Sequence, residues 1–176
     1  TDVGPVIDQA ALELLEMHVA KLSKTATKLF QVKLSKACQN GHFFAPCAFE
    51  IEQISQLKSE VFGPILHVIR FKQSNLGQVI DDINGTGYGL THGIHSRIND
   101  KVEMIASRIR SGNVYVNRNM IGAVVGVQPF GGEGLSGTGP KAGGPHYLSR
   151  LVVEHTLTIN TPASGGNASL LTLDEH

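Results

Sequence analysis

The sequence has no tryptophan, few aromatic residues and no excess of either charge. Lys plus Arg and Asp plus Glu both number 15 among the 176 residues, so the formal net charge is zero. The sequence has no cluster of lysine and arginine residues that would attract nucleic acid or an anionic membrane surface. No apolar run approaches the roughly 18 residues that cross a bilayer. We therefore expect this segment to bind no nucleic acid and no membrane.

Cysteine and targeting signals are also scarce. Cys38 and Cys47 are too few for a disulfide framework, which predicts a reducing, cytoplasmic compartment. The first residues lack the basic and apolar regions of a signal peptide. The chain begins at Thr1 rather than at Met, and residues 2–5 (DVGP) are typical of a turn within a domain. These features predict a piece of a longer protein.

Apolar periodicity predicts three helices that alternate with extended segments. Residues 5–30 repeat apolar side chains at steps of three and four, with Asp8 as the N-cap. The second helix is expected over residues 74–83. The third is expected to be capped by Asn99 or Asp100 and terminated by Gly112. The extended segments are residues 47–51, 65–71, 90–95, 114–116 and 150–160, of which 65–71 (ILHVIRF) has the composition of a buried strand. This alternation favours an α/β domain with a mainly parallel sheet.

Residues 128–145 (QPFGGEGLSGTGPKAGGP) contain the spacing of a dinucleotide-binding turn at Gly132, Gly134 and Gly137. Such a turn follows a strand and opens a helix whose amides face the phosphates. The Gly-Pro pairs at residues 139–140 and 144–145 are unsuited to a helix start. We therefore interpret the glycines as sites of close backbone approach or of positive φ. Phosphate binding is the alternative.

The histidines and cysteines do not form a recognisable reactive motif. His92 and His95 have HxxH spacing, but on a strand they would lie on opposite faces, and no further ligands follow at a typical spacing. Neither Cys38 nor Cys47 has the electropositive surroundings of a catalytic thiol. We predict no metal site and interpret both cysteines as structural.

A carboxylate and an aromatic ring lie two residues apart, at Glu60 and Phe62, just before the expected strand at 65–71. At the end of a strand in an α/β sheet, such a pair is well placed for a ligand, because a carboxylate accepts bonds from ribose hydroxyls and a ring packs on nicotinamide. The chemistry alone is equally compatible with an exposed Glu and a core Phe.

Several motifs resemble the aldehyde dehydrogenase superfamily. Residues 60–64 (EVFGP), 88–90 (YGL), 112–117 (GNVYVN) and 129–132 (PFGG) have the superfamily's order and spacing. Most members have a lysine two residues after the last glycine pair, where this chain has Gly134. The stretches NRNMIGAVVGVQPF, GGP and SGGNASLL, at residues 117–130, 143–145 and 164–171, are more specifically similar to the Δ1-pyrroline-5-carboxylate dehydrogenase domain of the bifunctional proline utilisation A family.

The resemblance implies NAD-dependent oxidation of glutamate γ-semialdehyde to glutamate in proline breakdown. In that family a cysteine thiolate attacks the aldehyde, hydride passes to the nicotinamide, and a Glu activates the water that releases the acid. FAD would enter only through a proline dehydrogenase domain of a parent chain.

The resemblance also assigns roles to residues of this chain. Glu60 matches the carboxylate that holds the nicotinamide ribose, and Phe62 and Leu90 match side chains beside the nicotinamide ring. Gly122 and Ala123 match the amides that bind the substrate carboxylate, and Phe130 matches the aromatic residue that packs on its aliphatic part. Neither cysteine lies in the family's nucleophile segment. No catalytic residue is therefore expected here, because the nucleophilic Cys, the base Glu and the adenine-binding domain would precede Thr1.

The implied organisation has three parts. Residues 1–154 would belong to the catalytic domain, 155–163 would form an oligomerisation strand, and 164–176 would be a C-terminal tail. The expected partners are glutamate semialdehyde, the rest of the parent chain and further copies in a homo-oligomer. We expect the isolated chain to be inactive. Two alternatives stay open at this point: a stand-alone binding module that pairs with a separate chain supplying the cysteine, and a phosphate-binding module built on the glycine loop.

Overall fold

The structure is a computed structural model that describes residues 3–137, 139–160 and 163. These residues form three α-helices and seven short strands, with the strands distributed between and after the helices. The helices are α1 (Gln9–Thr25), α2 (Leu76–Gly85) and α3 (Asn99–Arg108). The strands are β1 (Thr27–Gln31), β2 (Cys47–Glu50), β3 (Ile65–Val68), β4 (Tyr88–Gly89), β5 (Thr91–Ile94), β6 (Asn113–Val116) and β7 (Glu133–Gly134). None of the helices in the described part of the chain has the length and apolar character that a membrane crossing requires.

Helix α1 begins directly after the predicted N-cap, Asp8, and is shorter at both ends than the predicted segment 5–30. The Asp8 carboxylate accepts a hydrogen bond from the amide of Ala11 at 2.8 Å, which confirms Asp8 as the N-cap. The predicted end at residue 30 is wrong. The helical spacing continues to Leu29, but Ala26 is extended and residues 27–31 form β1 instead. Pairing of β1 with β2 satisfies backbone groups that a longer helix would have bonded internally.

The first sheet has the order β1-β2-β3 and is mixed rather than parallel. β1 and β2 are antiparallel, whereas β2 and β3 are parallel. Pro46, which has no N–H to donate, directly precedes the central strand β2 and therefore removes no hydrogen bond from it. One face of β2 packs on α1, where Leu15, Leu22 and the fully buried Phe49 form the core cluster. Burial of a side chain of that size contributes about 1.5–3 kcal/mol.

Strand β3 is shorter and less buried than predicted. The expected buried strand over residues 65–71 is only Ile65–Val68, and Leu66 is 62% exposed. β3 lies at the edge of its sheet, so it is paired on one side only. Its apolar composition therefore does not distinguish a buried strand from an edge strand.

The second half of the chain contains a parallel pair, β5 and β6, which align Thr91 with Asn113 and Ile94 with Val116. A separate antiparallel pair joins β4 to β7. The α/β class is confirmed, but the mainly parallel sheet is wrong: in the described part of the chain, three small sheets hold two parallel and two antiparallel pairings.

The remaining boundaries show two further differences from the sequence. Helix α3 begins at Asn99, but its N-cap is Ile98, without a side-chain cap, and the helix ends at Arg108. Arg150 lies in a short 3-10 helix, Leu148–Leu151, and residues 152–160 adopt no regular secondary structure, so the strand expected over 150–160 is not formed. A strand there needs a partner edge for its backbone groups, and the oligomerisation strand at 155–163 stays a prediction. The tail at 164–176 lies outside the described residues.

Candidate functional site

An open cleft of about 800 Å³ brings together two of the residues singled out from the sequence. Glu60 and Leu90 both line it, although they are 30 positions apart in the chain. The other contributors come from the segment before β3, β3 itself, the end of α2, strands β4 and β5, and the glycine loop; they include Lys58, His67, Asp82, Tyr88 and Ser136. Among the described residues, no hydrogen bond or ion pair engages the exposed carboxylate of Glu60.

The Glu60 side of the cleft is shaped by a short 3-10 helix, Ile54–Gln56. The Gln56 side-chain oxygen accepts hydrogen bonds from the amides of Glu52 and Gln53 at 2.8 and 3.0 Å. This capping holds the turn that leads into residues 57–61.

The Leu90 side is held by the two neighbouring strands. The amide of Gly89 donates to the hydroxyl of Ser136 at 3.1 Å, and the carbonyls of Gly89 and Leu90 accept from Gly112 and Asn113. A Cβ at Gly89 would collide with the carbonyl of Arg110, so the close contact between β4 and the residues before β6 requires glycine here.

Phe62 does not join Glu60 and Leu90 in this arrangement. Its ring is 87% exposed and is not part of the cleft lining. The alternative of a core phenylalanine is therefore wrong. The residue after it packs closely, since a Cβ at Gly63 would lie 2.5 Å from the Leu15 methyl groups.

The loop that contains Gly122 and Ala123 leaves its backbone open. Downstream, the carbonyl of Val124 accepts from Val127 and Gln128, and the Gln128 side chain accepts from the Val124 amide at 3.0 Å. Among the bonds between described residues, none uses the amide of Gly122 or Ala123. A Cβ at Gly122 would meet no atom within 4 Å. Two adjacent donors are thus available beside open space.

Phe130 is held through its backbone on both sides. It exchanges two hydrogen bonds with Ala142, at 3.1 and 3.0 Å. The side-chain amide of Asn113 donates through its nitrogen to the carbonyl of Pro129 at 3.0 Å, and its oxygen accepts from the backbone amide of Gly131 at 3.3 Å. The sequence analysis includes Asn113 in the motif at residues 112–117 but assigns it no role, because a single asparagine in a strand has no spacing to distinguish it.

The glycine loop folds tightly on itself. A Cβ at Gly132 would lie 2.5 Å from the carbonyl oxygen of Ser136, and one at Gly137 would collide with the carbonyl of Gly132. Gly134 has φ +58° and pairs with Tyr88. No α-helix follows the loop within the described residues, so the geometry of a phosphate-binding turn is lacking. The interpretation of close approach and positive φ is confirmed.

The cysteines and the HxxH pair lie away from the cleft. Cys47 is buried in the core, and burial raises the pKa of its thiol, with nearby Lys28 acting in the opposite direction. Cys38 is half-buried, with its sulfur 3.7 Å from the Ser35 hydroxyl. His92 lines an apolar groove beside α2, where burial lowers its pKa. The described residues contain no group of three or more potential ligands arranged around a metal position.

Comparison with known proteins identifies the family. Residues 1–156 match the aldehyde dehydrogenase family, and the chain belongs to it. It is 53% identical over 151 residues to the bifunctional protein PutA of Rhizobium meliloti, a match that covers 86% of this chain and 12% of that protein. The chain therefore spans only about an eighth of the length of this relative.

Solved structures of related proteins have the same fold. A mutant of proline utilization A (PutA) from Bradyrhizobium japonicum superposes with a TM-score of 0.85 at 57% identity, over 93% of this chain and 16% of that one. A 1-pyrroline-5-carboxylate dehydrogenase from Thermus, crystallised with bound NAD, superposes with a TM-score of 0.75 at 34% identity, over 84% of this chain and 28% of that one.

Proposed function

We propose that this chain forms one wall of the active site of a longer, NAD-dependent dehydrogenase that oxidises L-glutamate γ-semialdehyde, derived from Δ1-pyrroline-5-carboxylate, to glutamate in proline catabolism. The observation that carries the proposal is the cleft that Glu60 and Leu90 line together. The likeness to PutA and to an NAD-bound 1-pyrroline-5-carboxylate dehydrogenase supports the substrate and the cofactor.

The cleft has the chemistry to receive the nicotinamide riboside end of NAD. An ionised carboxylate accepts hydrogen bonds only, so Glu60 is suited to two neighbouring ribose hydroxyls. Leu90 provides an apolar surface for the ring, and a volume of about 800 Å³ accommodates a group of that size. When bound, NAD supplies the hydride acceptor. Phe62 is exposed and does not line the cleft, so its predicted place beside the nicotinamide ring is not part of the support for this proposal.

The open loop provides the carboxylate-binding end of the site. The amides of Gly122 and Ala123 would donate to the α-carboxylate of the substrate, in charge-assisted bonds that are about twice as strong as neutral ones. Phe130 would pack against the methylene groups between the carboxylate and the aldehyde. A substrate with a carboxylate and a short aliphatic chain matches both features.

The remaining chemistry comes from elsewhere in the longer enzyme. Cys47 is buried in the core and Cys38 does not line the cleft, so neither is suited to attack an aldehyde there. The thiolate nucleophile, the carboxylate that activates water and the sites for the adenine and phosphates belong to the rest of the parent. Two free cysteines fit a cytoplasmic setting. FAD would belong only to a proline dehydrogenase domain of the parent, and residues 155–163 would pair with a second copy in a homo-oligomer.

The test is an NADH absorbance assay of the complete enzyme and of the isolated chain with glutamate semialdehyde. The complete enzyme is expected to turn over, and the isolated chain is not. Turnover by the purified isolated chain would overturn the assignment of the nucleophile to the rest of the parent. A complete enzyme that oxidises other aldehydes but not this one would overturn the substrate.

A further inference from the structure

Asn113 occupies an unusual position for an amide side chain. It lies on β6, is only 8% exposed, and is the one polar side chain that is buried among the described residues. Burial of an amide is unfavourable unless its donors and acceptor are bonded. Both ends of the Asn113 amide are bonded, and the two partners, Pro129 and Gly131, flank Phe130.

Four backbone polar groups at and beside Phe130 are hydrogen-bonded. Asn113 engages the carbonyl before it and the amide after it, and Ala142 engages its own amide and carbonyl. These four bonds fix the direction of the Cα–Cβ bond of Phe130. Only the side-chain rotamer is then left to set the position of the ring.

Lys141 reinforces the same group of contacts. Its ammonium donates to the carbonyl of Gly112 and lies 3.4 Å from the Asn113 side-chain oxygen. The backbone segments around Asn113 pack closely at two glycines. A Cβ at Gly112 would collide with the carbonyl of Gly131, and one at Gly131 would lie 3.3 Å from the Cα of Lys141. The strand, the loop and the lysine therefore form one rigid unit beneath Phe130.

The geometry points to Asn113 as a positioning residue that sets the selectivity of the aldehyde site through Phe130. This inference rests on the proposed function, since it assigns the Phe130 ring to the aliphatic part of the substrate. Loss of the amide frees the carbonyl of Pro129 and the amide of Gly131, and the ring then shifts relative to the substrate chain. Acetaldehyde has no such chain, so its KM is insensitive to the shift.

The experiment uses the complete enzyme with Asn113→Ala, assayed with glutamate semialdehyde and with acetaldehyde. We expect KM for the semialdehyde to rise about tenfold, with a smaller change in kcat, since misplacement of about 1 Å has effects up to about a hundredfold. KM for acetaldehyde stays within about twofold of the wild-type value. Asn113→Asp keeps the acceptor for Gly131 beside Lys141 but loses the donor to the Pro129 carbonyl, so the semialdehyde KM is expected to lie between the wild-type and Asn113→Ala values.

The matched control is Asn84→Ala. Asn84 makes the same pair of bonds elsewhere: it donates to the carbonyl of Arg108 at 2.9 Å and accepts from the amide of Arg110 at 2.8 Å. Its removal lowers the melting temperature but leaves the ratio of the two KM values unchanged. If Asn113→Ala also lowers only the melting temperature, Asn113 is structural and the inference is overturned.

A second readout separates this inference from the proposed function. Hydrogen exchange of the peptide that contains residues 129–134 is expected to accelerate in Asn113→Ala and not in Asn84→Ala. Should Asn113→Ala fail to fold, Lys141→Met tests the same unit and is expected to raise the semialdehyde KM in the same direction. A wild-type enzyme without activity on the semialdehyde defeats the proposed function, whereas an active wild type with unchanged exchange and KM ratio in Asn113→Ala defeats only the positioning role.

Discussion

His18 on α1 and His67 on β3 are joined by a hydrogen bond between their Nε2 atoms, which lie 2.9 Å apart. Their rings meet edge to face, with centroids 5.2 Å apart. The bond needs one nitrogen to donate and the other to accept, so it is lost when both imidazoles are protonated. Burial lowers the pKa of both, aided by Lys21 at His18 and by His18 at His67.

This pair predicts that stability falls at mildly acidic pH. The unfolded pKa of histidine is about 6.5, and the folded pKa is lower, so the unfolded state binds more protons between the two values. The stabilising contribution is complete above about pH 6.5 and is lost as the pH falls through the folded pKa. His92, whose pKa is also lowered by burial, acts in the same direction.

The measurement is the melting temperature of the complete enzyme between about pH 5 and about pH 7.5. A His18→Gln, His67→Gln double variant is expected to show a smaller drop than wild type toward the acidic end. An identical pH dependence in the two proteins would show that the pair does not couple folding to protons.

Among the residues of the core cluster around α1 and β2, we expect substitution of Phe49 to cause the largest loss of stability. It is 0% exposed and lies in the cluster between α1 and β2. Phe49→Ala should lower the free energy of unfolding by about 3–5 kcal/mol, through lost burial and the cavity left behind. Phe49→Leu keeps most of the volume and should cost less than half as much. Denaturant midpoints measure both, and equal losses would argue against a tightly packed site.

Gly134 lies where most members of the family have a lysine, and we expect a lysine at this position to lower the stability of the chain. Its φ is +58°, and a Cβ there would collide with the carbonyl of Gly87. Gly134→Lys should destabilise the β4–β7 pair by about 1–3 kcal/mol. Glu133→Lys on the same strand adds the same side chain at an exposed position and should change stability by less than about 0.5 kcal/mol. Equal melting temperatures for the two variants would contradict the strain at Gly134.

A bulky side chain at Gly122 is expected to weaken binding of the carboxylated substrate selectively. Because a Cβ there meets no atom within 4 Å, Gly122→Leu is expected to fold normally. Its side chain would obstruct the approach of a carboxylate to the amides of residues 122 and 123. KM for glutamate semialdehyde should then rise more than KM for acetaldehyde, whereas Gly4→Leu, also in open space, changes neither. Equal increases with both aldehydes would remove the carboxylate-binding role.

Much of the fold follows from local patterns. The Asp8 cap, α2 and strand β6 (Asn113–Val116) are each encoded by residues that lie close together in the sequence. The end of α1 is not encoded locally. Residues 26–29 keep a helical spacing, but residues 27–31 form a strand because they pair with β2. The exposure of β3 likewise depends on its position at a sheet edge, which its composition does not specify.

The site was predictable only in part. Glu60 and Leu90 belong to motifs that resemble a known family, and the structure brings both to one cleft. Phe62 comes from the same motif as Glu60 but does not line that cleft. Asn113, Lys141 and Ser136 act through long-range bonds to backbone groups, and such bonds produce no periodic or spaced signal in a sequence.

The central claim, that Glu60 lies in the nicotinamide site, is tested most directly by steady-state kinetics of Glu60→Gln in the complete enzyme. The substitution keeps the size and removes the charge. We expect kcat/KM with NAD to fall about tenfold or more, since a hydrogen bond to a charged group contributes about 1.5–3 kcal/mol. Glu103→Gln, an exposed position on α3 outside the cleft lining, should leave the rate unchanged. Wild-type kinetics in Glu60→Gln would contradict the account.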